Sequence, residues 1–333
     1  MILRGSKAFR SFFATESAGG MVLVASCLVA LIISNSSLNH NFTDLIAPIH
    51  TFISEGLMSV FFFLVGLEIK REFINGELRN PRIAALPIIA AIGGMATPAL
   101  IYALINHAGS AVHGWAIPMP TDIALSLGAL ALLGSRIDNS LKIFLLSLAI
   151  ADDLGSIIVM GIFYSGGLSV TKIASTIGAV LLAWIIPTSQ AISTDRLISW
   201  IHPWSSFLII PLFALANIGI HIDFSHVSSA ISSPITLGII AARVIGKILG
   251  ITLFSWAAVK MKVATIPSSL TFMEIIGAAA LAGMGLTVSI FIANLAMSDP
   301  AQLAQVKLGL VLAAIISAIL GLSILHKFSS AQD

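Results

Sequence analysis

Ten apolar runs, separated by short polar loops, constrain the fold of this sequence more than any other feature. The runs cover residues 17–35, 52–69, 83–105, 115–133, 143–164, 173–187, 204–220, 234–258, 271–297 and 306–325. A helix needs about 20 mainly apolar residues to cross a bilayer, and an open sheet cannot satisfy its backbone in lipid. The pattern predicts an all-α polytopic membrane protein of about ten transmembrane helices, forming a single integral membrane domain over 1–333.

Composition excludes several classes of protein. Hydrophobic residues make up 57% of the 333-residue chain and charged residues 10%, whereas soluble domains carry about 25% charged residues. A net charge of +2 without a basic run gives no indication of nucleic acid as a partner. Cys27 is the single cysteine, so neither an intramolecular disulfide nor a cysteine metal site is expected.

The basic residues predict the orientation of the spans. In a ten-span arrangement, 13 of the 17 lysines and arginines fall at the two termini or in the loops on the same side. Because basic loops stay in the cytoplasm, both termini are predicted to be cytoplasmic. The basic start and the first apolar run could also form a signal peptide. No convincing cleavage site follows, and the run is interpreted as an uncleaved first span.

Spans four and nine contain residues that break helices. Pro118 and Pro120 interrupt the fourth span, and Gly283 and Gly285 interrupt the ninth. Each lies between two continuous spans, so spans 3–5 and 8–10 are predicted to be two three-helix units of opposite orientation. Broken helices of this kind leave backbone dipole ends near the membrane midplane and suit an ion site. Two ordinary kinked helices are the alternative.

Five ionisable residues lie at positions that cannot easily reach the membrane surface: Asp122, Asp152, Asp153, Arg243 and Lys247. Carboxylates are hard oxygen ligands for small cations, and burial favours their protonated form. A site of this composition can hold a proton or a metal cation, and a nearby ammonium can neutralise a carboxylate when no cation is bound. Structural ion pairs between helices are the alternative.

Other charged residues lie near the ends of spans. Glu68, Arg71 and Glu72 occupy positions i, i+3 and i+4 at the end of the second span, forming either a salt-bridged helix end or a proton-responsive surface. Glu16 and Glu274 are expected to reach the membrane interface by extending their side chains. His202 is expected to lie in a loop or at a span end, with no role in metal binding.

Several motifs together resemble the NhaA family of bacterial sodium/proton antiporters, which is itself a known example of inverted repeats with broken helices. They are FFFLVGLEIKREF, AAIGGMATPAL, GWAIPMPTDIALSLGALALLGSR, LKIFLLSLAIADDLGSI, HPWSSFLIIPLFALANIGI and GMGLTVSIFIANLAM.

The resemblance implies a role for each matching residue. Asp153 is implied to be the principal sodium ligand, and Asp152 its partner, which pairs with Lys247 in the absence of sodium. Thr121 and Asp122 match the polar residues where the broken helices cross. Glu68, Arg71 and Glu72 match a cytoplasmic cluster linked to activation by pH. The family pattern assigns no role to Arg243.

The resemblance also implies a location, a set of transported ions and a division of the chain. The protein is expected in the bacterial inner membrane, carrying sodium, lithium and protons without a cofactor. A scaffold-like part over 1–82 and 172–220 and a transport core over 83–165 and 234–326 are predicted. The chain departs from the family by lacking about 40 residues between GIFYSGGLS and IGAVLLAWIIP, which amounts to two of twelve spans. Its first external loop is short, which puts a homodimer paired through that loop in question.

Four functions remain open at this point. The first is electrogenic exchange of cytoplasmic sodium for external protons, because two carboxylates can release more protonic charge than one sodium ion carries. The second is an ion-coupled symporter of an organic solute on a similar scaffold. The third is an intramembrane aspartyl protease using Asp122 and Asp152, although the usual glycine-flanked motif is absent. The fourth is a degenerate family member that no longer transports.

Overall fold

The computed structural model describes residues 7–164, 170–186, 194–220 and 227–329. Helices make up most of these segments, which contain no β-strand. The predicted all-α polytopic fold is therefore confirmed. Three features named above extend outside the described residues: the basic start of the chain before residue 7, residue 165 at the end of the predicted core, and residue 187 at the end of the sixth run.

Seven helices in the described segments are long and apolar enough to cross a membrane. They are Phe12–Ser34, Phe52–Asn75, Pro81–Ile105, Asn139–Phe163, Thr194–Asn217, Pro234–Lys260 and Pro300–Phe328, and they correspond to spans one, two, three, five, seven, eight and ten. The sixth span is the shorter apolar helix Ile173–Ile185. After the first span, the chain forms a short helix over Asn39–Ile46.

Spans four and nine are each built from two short helices around a non-helical break, as predicted. The fourth consists of a 3-10 helix over Gly109–Ala116 and an α-helix over Ile123–Ala131. The ninth consists of Phe272–Leu281 and Thr287–Ala296. Proline lacks an N–H donor and restricts the residue before it, so Pro118 and Pro120 prevent helix continuation in the fourth span. Each broken span therefore has two helix ends that face each other across the break.

The third and eighth spans meet at a pair of glycines. A Cβ added at Gly93 would lie 2.3 Å from the carbonyl oxygen of Gly250, and one added at Gly250 would lie 2.1 Å from that of Gly93. Further along, Gly246 faces Pro98, so the two helices run antiparallel. A reciprocal contact between equivalent spans is expected where two inverted units meet at a pseudo-two-fold axis.

We expect Gly250→Ala to lower the free energy of unfolding by about 1–3 kcal/mol, because the added methyl group has no space and overpacking strains a close-packed interface. Thermal unfolding in detergent measures the effect. Gly178→Ala is the matched control, since a Cβ at Gly178 meets nothing within 4 Å. Equal stability of the two variants would contradict the close packing at Gly250.

The predicted start of the seventh span was wrong. The run at 204–220 excludes the polar residues before it, but the helix begins at Thr194 and continues through Pro203. A π-helical turn over Ser205–Ile209 follows the proline and accommodates the local change in backbone hydrogen bonding. The polar residues before the apolar run belong to this helix. His202 is buried among them and contacts Glu16 of the first span, rather than being exposed in a loop.

Lys70 ties the second span to the end of the sixth. Its side chain is buried, and Nζ donates hydrogen bonds to the carbonyl oxygens of Ala183, Trp184 and Ile186 at 3.4, 3.0 and 2.5 Å. The last carbonyls of a helix lack partners within that helix and carry its negative dipole end. A lysine at this position therefore both caps the sixth span and packs it against the second.

Candidate functional site

Asp152 and Lys247 form a fully buried ion pair between the fifth and eighth spans. Lys247 Nζ lies 2.7 Å from Asp152 Oδ2, and both side chains are 0% exposed. Thr121, in the break of the fourth span, donates a hydrogen bond of 2.6 Å to the same carboxylate oxygen. Lys247 also contacts the Thr121 hydroxyl oxygen at 3.0 Å. Three of the predicted site residues are thus in direct contact.

Asp153 lies beside this pair and points elsewhere. Adjacent residues on an α-helix are about 100° apart, so Asp153 faces a different set of neighbours. It is 5% exposed, and its Oδ1 atom has no hydrogen-bond partner; the second carboxylate oxygen of Asp152 has none either. Buried polar atoms normally have partners, so these two oxygens have unused capacity to bind a proton or a cation.

A small cavity lies in front of Asp153. Its volume is about 30 Å³, enough for a water-sized occupant, which needs roughly 10–15 Å³. The polar side chains that line it are those of Glu16, Glu68, Thr121, Asp122, Asp153, Ser205 and Thr287. The cavity therefore connects Asp122 and Asp153 with Glu16 and Glu68, at the ends of the first two spans. Its oxygen-rich lining suits a small hard cation.

Asp122 binds the N-terminal end of the second half-helix in each of the two broken spans. Its carboxylate accepts hydrogen bonds from the Leu125 N–H at 3.2 Å and from the Thr287 N–H and hydroxyl at 3.4 and 2.8 Å. The N-terminus of a helix carries a partial positive charge and favours a nearby carboxylate. Asp122 consequently compensates two dipole ends, one in each broken span.

Arg243 lies on the opposite side of the same crossing. Nη1 donates to the Gly283 carbonyl oxygen at 3.0 Å, and Nη2 donates to the Pro120 carbonyl oxygen at 3.0 Å and to the Ser289 hydroxyl. The side chain is 0% exposed. Arg243 belongs to the π-helical turn Ala242–Gly246 that precedes Lys247. It thus contacts the break of each broken span and the second half of the ninth.

The cluster at the end of the second span is not a set of salt bridges. Glu72 is buried and accepts hydrogen bonds from the Glu77 N–H at 2.9 Å and the Ser147 hydroxyl at 3.5 Å. Glu68 is buried, lines the cavity, and its Oε1 atom has no partner. The Arg71 guanidinium lies over the Phe12 ring, 5.2 Å from its centroid, and forms no ion pair with either glutamate.

Comparison with known proteins identifies the family of this chain. A model of the family described as Na+/H+ antiporter 1 matches residues 10–188 and 170–325. The chain is 38% identical to the Na(+)/H(+) antiporter NhaA of Pelagibacter ubique, over 98% of each protein. It is 37% identical to proteins with the same description from Escherichia coli O139:H28 and Shigella dysenteriae, over 95% of this chain and 97% of each relative. The chain belongs to the NhaA antiporter family.

The alignments also bear on the length difference. The NhaA match from Pelagibacter extends over 388 aligned positions, more than the 333 residues of this chain, so some positions of the relative have no counterpart here. The two matches of the family model overlap between residues 170 and 188. This is the region where the sequence resemblance indicates the loss of two spans.

The sequence analysis of this NhaA-family chain did not recognise three residues that lie near the candidate site. Glu16 and His202 are both buried and in direct hydrogen-bonded contact between spans one and seven, and the Ser206 hydroxyl donates to Glu16 at 3.4 Å. The expectation that Glu16 reaches the interface was therefore wrong. An acid directly before the first apolar run and the histidine of the HPW motif were the available signals. Arg243, noted without a role, lies at the crossing.

Glu274 also differs from expectation. It was expected to extend to the membrane interface, but it is 5% exposed and closes a capping box with Thr271 at the start of the ninth span. Its Oε2 atom accepts from the Thr271 N–H at 2.8 Å. A Thr followed three residues later by Glu is the sequence signature of this box, so the structural role was predictable.

Proposed function

We propose that this chain exchanges cytoplasmic sodium for external protons by alternating access at Asp152 and Asp153. The observation that carries the proposal is the pair of adjacent buried aspartates, each with an unpartnered carboxylate oxygen, beside a cavity that fits one small occupant. Its membership of the NhaA family supports the same function.

Asp153 is the principal sodium ligand in this proposal. Its free oxygen points towards no other hydrogen-bonding group, and Asp122 and Thr121 line the same cavity. When sodium is absent, Asp153 holds a proton, because an isolated buried carboxylate is costly to keep charged. Sodium binding releases that proton, so the two ions compete for one site and each excludes the other.

Asp152 and Lys247 supply the second part of the exchange. In the sodium-free state the ammonium neutralises Asp152 at 2.7 Å. Sodium entry competes with this pair and frees Asp152 to become a ligand. Asp153 gives up one proton, and Lys247 gives up a second when Asp152 leaves it for sodium. Two protons then move for each sodium ion, and one net charge crosses the membrane. A charge moving through 100 mV gains about 2.3 kcal/mol, so the membrane potential helps to drive sodium export.

The direction of access follows from the acidic residues of the cavity. Glu16 and Glu68 lie at the ends of spans one and two that adjoin the basic N-terminal and second loops. Under the positive-inside rule these ends face the cytoplasm, as do both termini. In this proposal the protein lies in a bacterial inner membrane, and sodium enters the cavity from the cytoplasmic side. Lithium, a smaller hard cation, uses the same oxygen ligands.

The proposed moving part is the pair of three-helix units over 83–165 and 234–326, which holds the crossing and its ion ligands. The scaffold is the remainder of the helices, over 1–82 and 172–220. The contact of Lys70 with the end of the sixth span joins two members of this scaffold. The first external loop contains the helix Asn39–Ile46. We propose no homodimer paired through this loop.

The three other functions fit the geometry less well. A protease needs two facing aspartates that share a water, but Asp152 is paired with Lys247 and Asp122 binds the starts of two helices. A symporter of an organic solute needs more room than about 30 Å³. A degenerate member is not expected to retain an intact ion pair and free ligands at the crossing.

Purified protein in proteoliposomes tests the proposal. Adding sodium to one side of a sealed, acid-loaded vesicle is expected to move protons out, as reported by a pH-sensitive dye, between about pH 6 and 9. Potassium at equal concentration is the control. Absence of sodium-dependent proton movement across this range, in protein that remains folded, would favour the degenerate function.

We expect Glu72→Gln to shift the pH dependence of exchange while leaving activity at the optimum. Glu72 belongs to the cytoplasmic cluster but does not line the cavity at Asp153. Removing its negative charge makes ionisation of the neighbouring acids less costly, so activation is expected to begin at a lower pH. Exchange rates measured from pH 6 to 9 in proteoliposomes give the profile.

Asp44→Asn is the control for Glu72→Gln, because Asp44 is an exposed acid in the short helix after the first span and takes no part in the contacts of Glu72. Its pH profile is expected to follow that of the unsubstituted protein. Complete loss of exchange by Glu72→Gln at every pH, in folded protein, would place Glu72 in the transport site instead.

A further inference from the structure

We infer that Arg243 is a positioning residue for the sodium site: it clamps the two broken spans together and thereby fixes Thr121 against Asp152. The inference rests on the proposed exchange at Asp152 and Asp153 and assigns a specific task to a cation that the family resemblance leaves without one.

The first step is the set of atoms that Arg243 binds. Its guanidinium joins the Pro120 carbonyl oxygen in the fourth span to the Gly283 carbonyl oxygen in the ninth, each at 3.0 Å. A third bond reaches Ser289, at the beginning of the second half of the ninth span. Arginine suits this task because its planar group presents several donors in a fixed arrangement.

The second step is the position of the clamped carbonyls relative to the ion site. Pro120 directly precedes Thr121, and Gly283 directly follows Ala282. Thr121 Oγ1 lies 3.2 Å from the Ala282 carbonyl oxygen and 2.6 Å from Asp152 Oδ2. Arg243 and Thr121 therefore bridge the same two chain breaks one residue apart, so movement of either carbonyl displaces the hydroxyl that contacts Asp152.

The third step is a division of roles between the two cations of the eighth span. Arg243 binds a carbonyl oxygen in the break of each span, and a positive charge is favourable at Gly283, just after the first half-helix of the ninth span. Asp122 instead binds the N-terminal ends of the two second half-helices. Lys247, one turn further along, contacts Thr121 and Asp152. Because Arg243 compensates the crossing, Lys247 is free to exchange its partner when sodium enters.

The surrounding backbone leaves space for this arginine. A Cβ added at Gly285 would lie 2.4 Å from Nη1 and 2.6 Å from Nη2 of Arg243. Glycine at this position therefore allows both the break in the ninth span and the approach of the guanidinium. Full burial with three hydrogen-bonded partners is the expected condition for a charge kept inside a membrane protein.

Arg243→Gln tests the clamp by removing the charge and the fork of donors. We expect the sodium concentration for half-maximal exchange to rise about tenfold, as for the loss of one hydrogen bond to a charged group, with a smaller change in maximal rate. Arg243→Lys keeps the charge and is expected to recover part of the affinity. Lys307→Gln, which removes a cation from the tenth span outside the site, is the matched control.

A double variant separates positioning from general stability. If Arg243 acts through Thr121, Arg243→Gln adds no further loss of sodium affinity in a Thr121→Val background, because coupled residues are not additive. Additive losses would overturn the inference and leave Arg243 with a general structural role. Should Arg243→Gln not fold, Arg243→Lys and its combination with Thr121→Val provide the same comparison.

Sodium-dependent thermal stabilisation in detergent provides a readout that does not require transport. We expect half-maximal stabilisation at about tenfold higher sodium in Arg243→Gln than in the unsubstituted protein. Equal sodium dependence of the two proteins would overturn the positioning role alone. Sodium stabilisation without any exchange by the unsubstituted protein would overturn the proposed function but not the role of Arg243.

Discussion

Asp153→Asn is expected to abolish sodium-driven proton movement at every pH. The amide keeps one oxygen at the position of the carboxylate, so the shape of the site changes little. It carries no charge to stabilise sodium and has no proton to release. Because Asp153 Oδ1 is buried without a partner, no neighbouring group can replace its function. Proton flux in proteoliposomes after sodium addition measures the effect.

Asp44→Asn is a matched control for this substitution. Asp44 is an exposed aspartate that pairs with His40 at 3.5 Å, and exposed pairs of this kind contribute about 0–1 kcal/mol. Its exchange activity and thermal stability are expected to equal those of the unsubstituted protein. Vigorous exchange by Asp153→Asn would refute the assignment of Asp153 as the principal ligand.

Lys247→Ala is expected to destabilise the protein by about 3–5 kcal/mol if Asp152 is left buried and charged. Uptake of a proton by Asp152 reduces this loss, so the largest effect is expected at high pH. The reason is the complete burial of both partners, which leaves water no access to the remaining charge. Thermal unfolding in detergent, measured across pH, gives the stability of the variant.

The double variant Asp152→Asn with Lys247→Gln is expected to recover stability relative to Lys247→Ala alone. Replacing both members of a buried pair removes the uncompensated charge, while the two amides can still form a hydrogen bond. Together with the single variants Asp152→Asn and Lys247→Gln, this double variant forms a thermodynamic cycle. Additive stability losses in that cycle would rule out an energetic coupling between Asp152 and Lys247.

The broken spans could be predicted because their cause is local. Pro118 and Pro120 cannot continue a helix, and Gly283 and Gly285 mark the equivalent position in the ninth span. The length of each apolar run was similarly informative, since a helix must match the thickness of the bilayer. Both signals arise from a few neighbouring residues and require no knowledge of the partners in space.

The contacts of Arg243 and His202 could not be predicted in the same way. Arg243 binds two backbone carbonyls, and any residue type carries a carbonyl, so its partners leave no signal in the sequence. The polar residues around His202 resemble a loop until Glu16 is known to face them. Asp152 and Lys247 were paired by the family resemblance, because residue spacing alone does not select between Lys247 and Arg243.

The reciprocal contact of Gly93 and Gly250 has a consequence for how such a chain can evolve. If the two units arose by duplication of one ancestral segment, most of their residues have since been able to diverge separately. At the axis that relates the units, each glycine is the packing surface of the other. A substitution of either glycine therefore disturbs the packing of both units at once. Selection is expected to keep both positions small together, although the two units diverge elsewhere.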